Sequence, residues 1–227
     1  MTRMFITFEG GEGSGKTTQI MRLAEHLRRD GHTVVTTREP GGSPGADAIR
    51  HVILSGAAEA LGPEMEAILF SAARADHIAL VIRPALARGD IVLCDRFHDS
   101  TRVYQFLDSP LDQGLMQRLE RSTLDDVYPD LTLILDVPAD LGAARARERR
   151  GGGAIDRFEK EAEALHERRR QAFLKIAAEE PERCVVVDGT QSVDAVAAEV
   201  AEIVDDRLEA ARFEAVGQSL DASRRVR

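Results

Sequence analysis

Cysteine is scarce in this chain: Cys94 and Cys184 are its only two among 227 residues. Both sit in apolar runs, IVLCDR and RCVVVD, where packing inside strands in a reduced compartment is expected rather than a disulfide scaffold. Long hydrophobic runs are missing too. No segment approaches the roughly 18 apolar residues that a spanning helix needs, and no charged-then-apolar leader opens the chain, so neither membrane insertion nor secretion is expected. A cytoplasmic location is the expectation. An excess of positive charge is also lacking. The net charge of −9 argues against a general nucleic-acid binder, and the basic residues concentrate locally between Arg145 and Arg157. Without a Pro/Ser-rich linker, a low-complexity stretch or a repeat, the chain reads as one domain over 1–212. A segment after it, 213–227, is expected to be a mobile tail.

What is present begins almost at once. The apolar run Met4-Phe5-Ile6-Thr7-Phe8 leads into EGGEGSGKTTQ, and Ile20, Leu23, Ala24 and Leu27 follow at helical spacing. Strand, glycine-rich turn and helix are the context in which Gly10-x-x-x-x-Gly15-Lys16-Thr17 is a phosphate loop. Glycines let backbone N–H groups converge on phosphate oxygens, and a helix N-terminus adds its dipole there. This reading assigns Gly10, Gly11, Glu12, Gly13, Ser14, Gly15, Lys16 and Thr17 to ATP. Lys16 reaches the outer phosphates, and the Thr17 hydroxyl suits Mg²⁺.

Four more β-branched runs follow, HTVVTTRE, DIVLCD, LTLILDV and CVVVDG. Helical patterns separate or follow them at 63–87, 111–127, 139–149, 158–178 and 193–212. Near-continuous apolar strands joined by helices predict an α/β fold with a parallel sheet covered on both faces. Ligands on such sheets gather at the carboxyl ends of the strands. The polar residues just after each strand are therefore the ones to read.

Strand two ends in TREPGG, which is either a plain surface turn or a site segment carrying Arg38. Strand three ends in DRFHDSTRVYQ, where Asp95 can engage Mg²⁺, directly or through water, and Arg96 can fork onto phosphate. LFSAAR places Phe70 and Arg74 four apart on one helix face, fit either for the core or for holding a base by stacking and edge hydrogen bonds. RARERRGGGAIDRFEKE joins an arginine-studded helix end to a glycine hinge. It is either a solvated helix hairpin or a lid over phosphates, at about 145–160.

Together, in order and spacing, FEGGEGSGKTTQ, TREPGG, LFSAAR and DRFHDSTRVYQ resemble the bacterial thymidylate kinases, which phosphorylate dTMP with ATP. The resemblance covers about 4–208. It implies a P-loop nucleoside monophosphate kinase-like fold, a five-stranded parallel sheet wrapped by helices with a short arginine-bearing lid, usually as a homodimer. It also implies ATP and dTMP as substrates with Mg²⁺, and neither nucleic acid nor membrane as partner. By resemblance, Lys16 meets the transferred phosphoryl, and Glu12 lies near the acceptor's 3′-hydroxyl and the metal. Phe70 stacks on thymine, Arg74 recognises a base carbonyl, and Thr101 and Gln105 contact the thymine edge. Tyr104 crowds the sugar 2′ position, and Arg96 holds the acceptor phosphate. Arg38 and Arg50 are weaker candidates on the same side.

Some members of that family carry an arginine inside the phosphate loop, and this chain does not; Arg149 and Arg150 are placed to supply that charge from the lid. The acceptor phosphate is ionised near pH 7, so catalysis needs alignment and charge neutralisation rather than a general base. Two rivals share the phosphate loop. One is a kinase for UMP, AMP or a deoxynucleoside, and the other a P-loop ATPase switch acting on a protein partner.

Overall fold

A computed structural model of the chain describes the backbone of residues 3–107, 113–150 and 163–225, with side chains except at 113, 149, 150 and 214–225. Five strands, β1 (Met4–Glu9), β2 (Val34–Arg38), β3 (Ile91–Asp95), β4 (Leu131–Asp136) and β5 (Cys184–Asp188), form one sheet in the order β2-β3-β1-β4-β5. Every pairing is parallel, as the buried, β-branched runs predict. The register sets Phe8 beside Asp95, Asp95 beside Arg38, and Glu9 beside Ile134. The polar ends of β1, β2 and β3 thus share one edge. The connection from β1 runs to β2 on one side of the sheet, whereas the connection from β3 crosses to β4 on the other side of β1. This switch opens a crevice at the carboxyl end of β1.

Alternation along β1 feeds two cores. Met4, Ile6 and Phe8 pack with Ile20, Leu23 and Leu27 of α1 (Lys16–Arg29) and with Val196, Val200 and Val204 of α9 (Val193–Arg225). Phe5 packs on the other face with Val92, Cys94 and Phe97. Both cysteines are free and buried, and burial pushes their thiols up, Cys184 to about 11. The strand-packing expectation for them is met.

The expected helix at 63–87 is present as α3 (Gly62–His77), one π turn (Ile78–Ile82) and α4 (Arg83–Ala87). Pro84 lacks the N–H that an unbroken helix would need, and the wider turn before it absorbs the misfit. α6 (Gln113–Leu124), α7 (Ala139–Arg150) and α8 (Glu163–Glu179) fall within or near their expected spans. Two helices had not been anticipated, α2 (Pro44–Leu54) and α5 (His98–Gln105). The last helix was expected to end near Arg212 but continues to Arg225, because 213–225 contains good helix formers and no proline. Most of the expected lid hinge, 151–162, lies outside the described residues, as do the side chains of Arg149 and Arg150. Among the described residues no helix is long and apolar enough to cross a membrane.

His98, at the start of α5, is fully buried, and neither ring nitrogen has a hydrogen-bond partner among the described residues. Burial holds it down to about 4, while Asp99 pulls the other way and Arg102 and Arg183 add to the depression. A histidine depressed in the fold but near 6.5 when unfolded takes up protons on unfolding. Stability is therefore intact above about pH 6.5 and lost as pH falls towards 4, by on the order of 3 kcal/mol. Glu9, raised to about 7 by burial and by Asp99, titrates in the opposite sense, so a difference measurement is needed. His98→Leu is expected to flatten the loss between pH 6.5 and 4 in urea titrations. Parallel stability profiles for variant and parent would refute it.

Candidate active site

The turn after β1 wraps round the ammonium of Lys16. Nζ donates to the carbonyls of Gly10 (3.1 Å) and Gly11 (2.8 Å) and to Ser14 Oγ (3.2 Å). Burial, helped by the Arg96 charge, lowers its pKa to about 8 against the pull of Asp95, Glu12 and Glu9. A desolvated cation at a helix N-terminus interacts strongly with an incoming anion. One residue on, the Thr17 hydroxyl donates to Asp95 Oδ2 at 2.8 Å, which joins the phosphate loop to the end of β3. A hydroxyl and a carboxyl oxygen so placed, with Glu12 on the same loop, fit a hard divalent cation.

The loop is held from outside by a residue that the motif does not contain. Gly142, in the first turn of α7, meets the loop backbone to backbone. A Cβ built there would collide with the Glu12 carbonyl oxygen, and one on Gly13 (φ 69°) would collide with the Gly142 carbonyl. Gly142→Ala is therefore a sharp test, because helix propensity alone favours alanine by about 1 kcal/mol. The expected outcome is instead a fall in kcat/KM for ATP on the order of ten- to a hundredfold, as the phosphate loop is displaced. A more stable variant with unchanged ATP kinetics would disprove that contact's role.

Arg96 adopts φ 68°, a left-handed conformation uncommon for a side chain with a Cβ. Its backbone N–H bonds to Phe8 O at 2.9 Å. Its Nη1 donates to Gly10 O (3.2 Å) and Ser100 Oγ (3.1 Å), and Nη2 lies 4.0 Å from Glu12 Oε2. Glu9, fully buried at the end of β1, braces this corner. Its carboxylate accepts from the backbone N–H of Phe97 (2.8 Å) and Ser100 (3.2 Å) and from the Ser100 hydroxyl (2.6 Å). The signal for Glu9 was available in the sequence, since it ends a buried strand just as Asp95 does. The brace itself depends on β1 and β3 lying side by side.

TREPGG is more than a surface turn. Glu39 is 6% exposed, accepts from Arg74 Nε at 2.8 Å and pairs with His77 Nδ1 at 3.0 Å. Arg74 Nη2 donates to Phe97 O (3.2 Å) and Thr101 Oγ1 (2.8 Å), and its guanidinium lies over the Phe97 ring. Arg74 also lines a cavity beside the phosphate loop. The same cavity is lined by Glu12, Arg38, Arg50, Phe70, Asp95, Arg96, Thr101, Tyr104 and Gln105. All the acceptor-side residues expected from the sequence thus converge on one cleft. Phe70 is half-buried at its wall rather than in the core. Gln105 is 5% exposed, and its Nε2 has no hydrogen-bond partner among the described residues. Arg38 also pairs with Asp47 at 3.6 Å, and Arg50 donates to Pro40 O at 2.7 Å.

Behind the cleft, burial would raise the Asp99 carboxyl, but His98, Arg183 and Arg102 pull it down to about 2. Arg183 forks onto Asp99 at 2.7 and 2.8 Å and ties α5 to the start of β5. Two charges near the expected lid prove structural. Arg145 donates to Gly189 O at 2.7 Å, and Asp136 is engaged by Arg170 at 2.6 and 2.9 Å. His166 of α8 lines the cleft and had not been singled out.

A lysine-bearing phosphate loop at the head of a parallel sheet, facing a second cleft across an arginine, defines a P-loop phosphotransferase of the nucleoside monophosphate kinase type. The thymidylate kinase family model matches residues 8–200. The thymidylate kinase of Bradyrhizobium sp. (strain ORS 278) is 55% identical over 204 residues, covering 90% of each chain. That of Nitrobacter winogradskyi is 55% identical over 203 residues, 89% of this chain and 88% of its own. The crystal structure of thymidylate kinase from Ehrlichia chaffeensis superposes with a TM-score of 0.72 at 34% identity, covering 90% of this chain and all of that one. The chain belongs to the thymidylate kinase family.

Proposed function

We infer that the protein transfers the terminal phosphoryl group of ATP to dTMP, giving dTDP and ADP. The observation that carries this reading is the cleft itself. Beside the phosphate loop, the cleft is lined by an aromatic ring (Phe70), a guanidinium (Arg74) and a buried amide (Gln105) whose Nε2 has no hydrogen-bond partner among the described residues. An unsatisfied buried donor is costly unless a ligand accepts from it, and a pyrimidine with carbonyl oxygens on its edge does so. Tyr104, which lines the same cleft, is assigned to the sugar 2′ position. Glu12 faces the acceptor sugar and the metal, and Arg38 and Arg50 add positive charge at the mouth.

The acceptor's phosphate oxygen is already ionised, so no residue has to remove a proton. Arg96 holds that phosphate, aimed by its own strained backbone and by Ser100. Lys16 exchanges its loop carbonyls for phosphate oxygens and neutralises charge on the transferring group. Mg²⁺, held by Thr17 and Asp95, would supply further neutralisation of the donor phosphates. Arg149 and Arg150, at the end of α7, are assigned the remaining positive charge.

An ADP-release assay with a panel of monophosphates tests the reading. dTMP is expected to give the highest kcat/KM, and faster turnover of UMP or AMP would overturn it. An ATPase switch would release ADP with no acceptor present. A homodimer is part of this reading: Leu61, just before α3, and Met65 and Ile68 on it are exposed apolar residues at helical spacing. A monomer in sedimentation equilibrium would remove it. A cytoplasmic site of action fits two free, buried thiols, and cell fractionation checks it.

A further inference from the structure

Arg169 belongs to none of the motifs above. It sits on α8, 4% exposed, with its guanidinium carbon 4.2 Å from the centroid of the Tyr104 ring. Arg96 approaches the same ring at 5.1 Å, and Phe173, one turn after Arg169, meets it edge-on at 6.5 Å. Tyr104 is the penultimate residue of α5, a helix of eight residues, so little of its own element supports the ring. A buried guanidinium is expensive, and packing alone would be served as well by leucine or methionine. A cation stacked on an aromatic face repays part of that cost only if the ring stays in place. The next residue, Arg170, turns away to Asp136, so the two neighbouring arginines divide the work. Arg170 anchors the helix, and Arg169 faces the cleft wall.

We propose that Arg169 is a positioning residue that holds Tyr104 against the acceptor's sugar, and so sets how strongly the enzyme prefers a deoxyribose over a ribose monophosphate. This rests on the reading of the cleft as the dTMP site. Arg169 touches no reacting atom. Its effect is expected in selectivity rather than in the rate of phosphoryl transfer to dTMP.

The test compares kcat/KM for dTMP and for its ribose counterpart, 5-methyluridine 5′-monophosphate, in the parent, Arg169→Met and Arg169→Lys. Arg169→Met keeps apolar volume without charge. It is expected to narrow the preference by about tenfold, chiefly through better use of the ribonucleotide, with kcat for dTMP little changed. Arg169→Lys, which retains a cation, should recover much of the preference. With only two tyrosines in the chain, ring-labelled tyrosine NMR follows Tyr104 directly, using Tyr128→Phe for assignment. Its signal should shift, and its ring should flip faster, in Arg169→Met. An unchanged selectivity ratio in Arg169→Met, or an unmoved Tyr104 signal, overturns the proposal. A parent enzyme that does not prefer dTMP would instead count against the cleft reading, while the NMR result still judges the Arg169–Tyr104 contact.

Discussion

Lys16→Ala is expected to cut kcat by at least about 10²-fold, with the fold retained. The lysine ammonium is the cation most directly enclosed by the phosphate loop, with 2.8 and 3.1 Å bonds to its carbonyls. Its depressed pKa, about 8, marks it as desolvated, and a charge in that setting stabilises a transferring phosphoryl more than one in water does. The fold should survive because the loop glycines keep their backbone path. α1 also keeps its apolar face of Ile20, Leu23 and Leu27 in the core. Single-turnover kinetics with saturating ATP and dTMP, alongside a thermal unfolding curve, measure both halves. A variant with parental Tm and near-normal turnover would remove Lys16 from the mechanism and with it the assignment of the loop.

Arg74→Ala carries the next largest effect, and it acts twice. Removing the guanidinium leaves the Glu39 carboxylate, its side chain 4% exposed, with His77 as its remaining side-chain partner among the described residues. Stranding a buried charge costs about 3–5 kcal/mol. The same change deletes a guanidinium that lines the cleft, and a charged hydrogen bond to the base is worth roughly 1.5–3 kcal/mol, so dTMP affinity should fall about ten- to a hundredfold. ATP affinity should change much less, because Arg74 lies across the cleft from the phosphate loop. Arg74→Lys separates the two roles. Lysine restores a positive charge for Glu39 and most of the stability, but its single ammonium cannot serve Glu39, Thr101 and the ligand together. Calorimetric titration with each nucleotide, paired with unfolding curves, gives the answer. Should ATP binding fall while dTMP binding holds, the base pocket has been put in the wrong place.

The phosphate loop was legible because its chemistry is local. Gly10, Gly15, Lys16 and Thr17 lie within one strand–turn–helix, and their spacing carries the geometry. The five strands were legible for the same reason, each being a short β-branched run between turn residues. Helices α2 and α5 were harder to find. α5 is only eight polar-rich residues, and what settles it is Glu9 capping the N–H groups of Phe97 and Ser100 from a strand some 90 positions away. TREPGG could not be decided either, since a proline-glycine turn looks alike whether its glutamate faces water or a buried arginine.

By itself, then, the sequence determined the class of sheet, the anion-binding turn and the residue types gathered at strand ends, because hydrophobic period and turn chemistry act over a few residues. The tertiary structure alone decided which of those ends share an edge. Parallel register brings Arg38, Asp95 and Glu9 together, α3 carries Phe70 and Arg74 to the same cleft, and α7 presses Gly142 onto the loop. It also decided that Arg169, indistinguishable in sequence from the arginines on either side, is the one that turns inward to Tyr104. Burial, pairing of charges and backbone contact arise between segments far apart in the chain, and no local pattern records them.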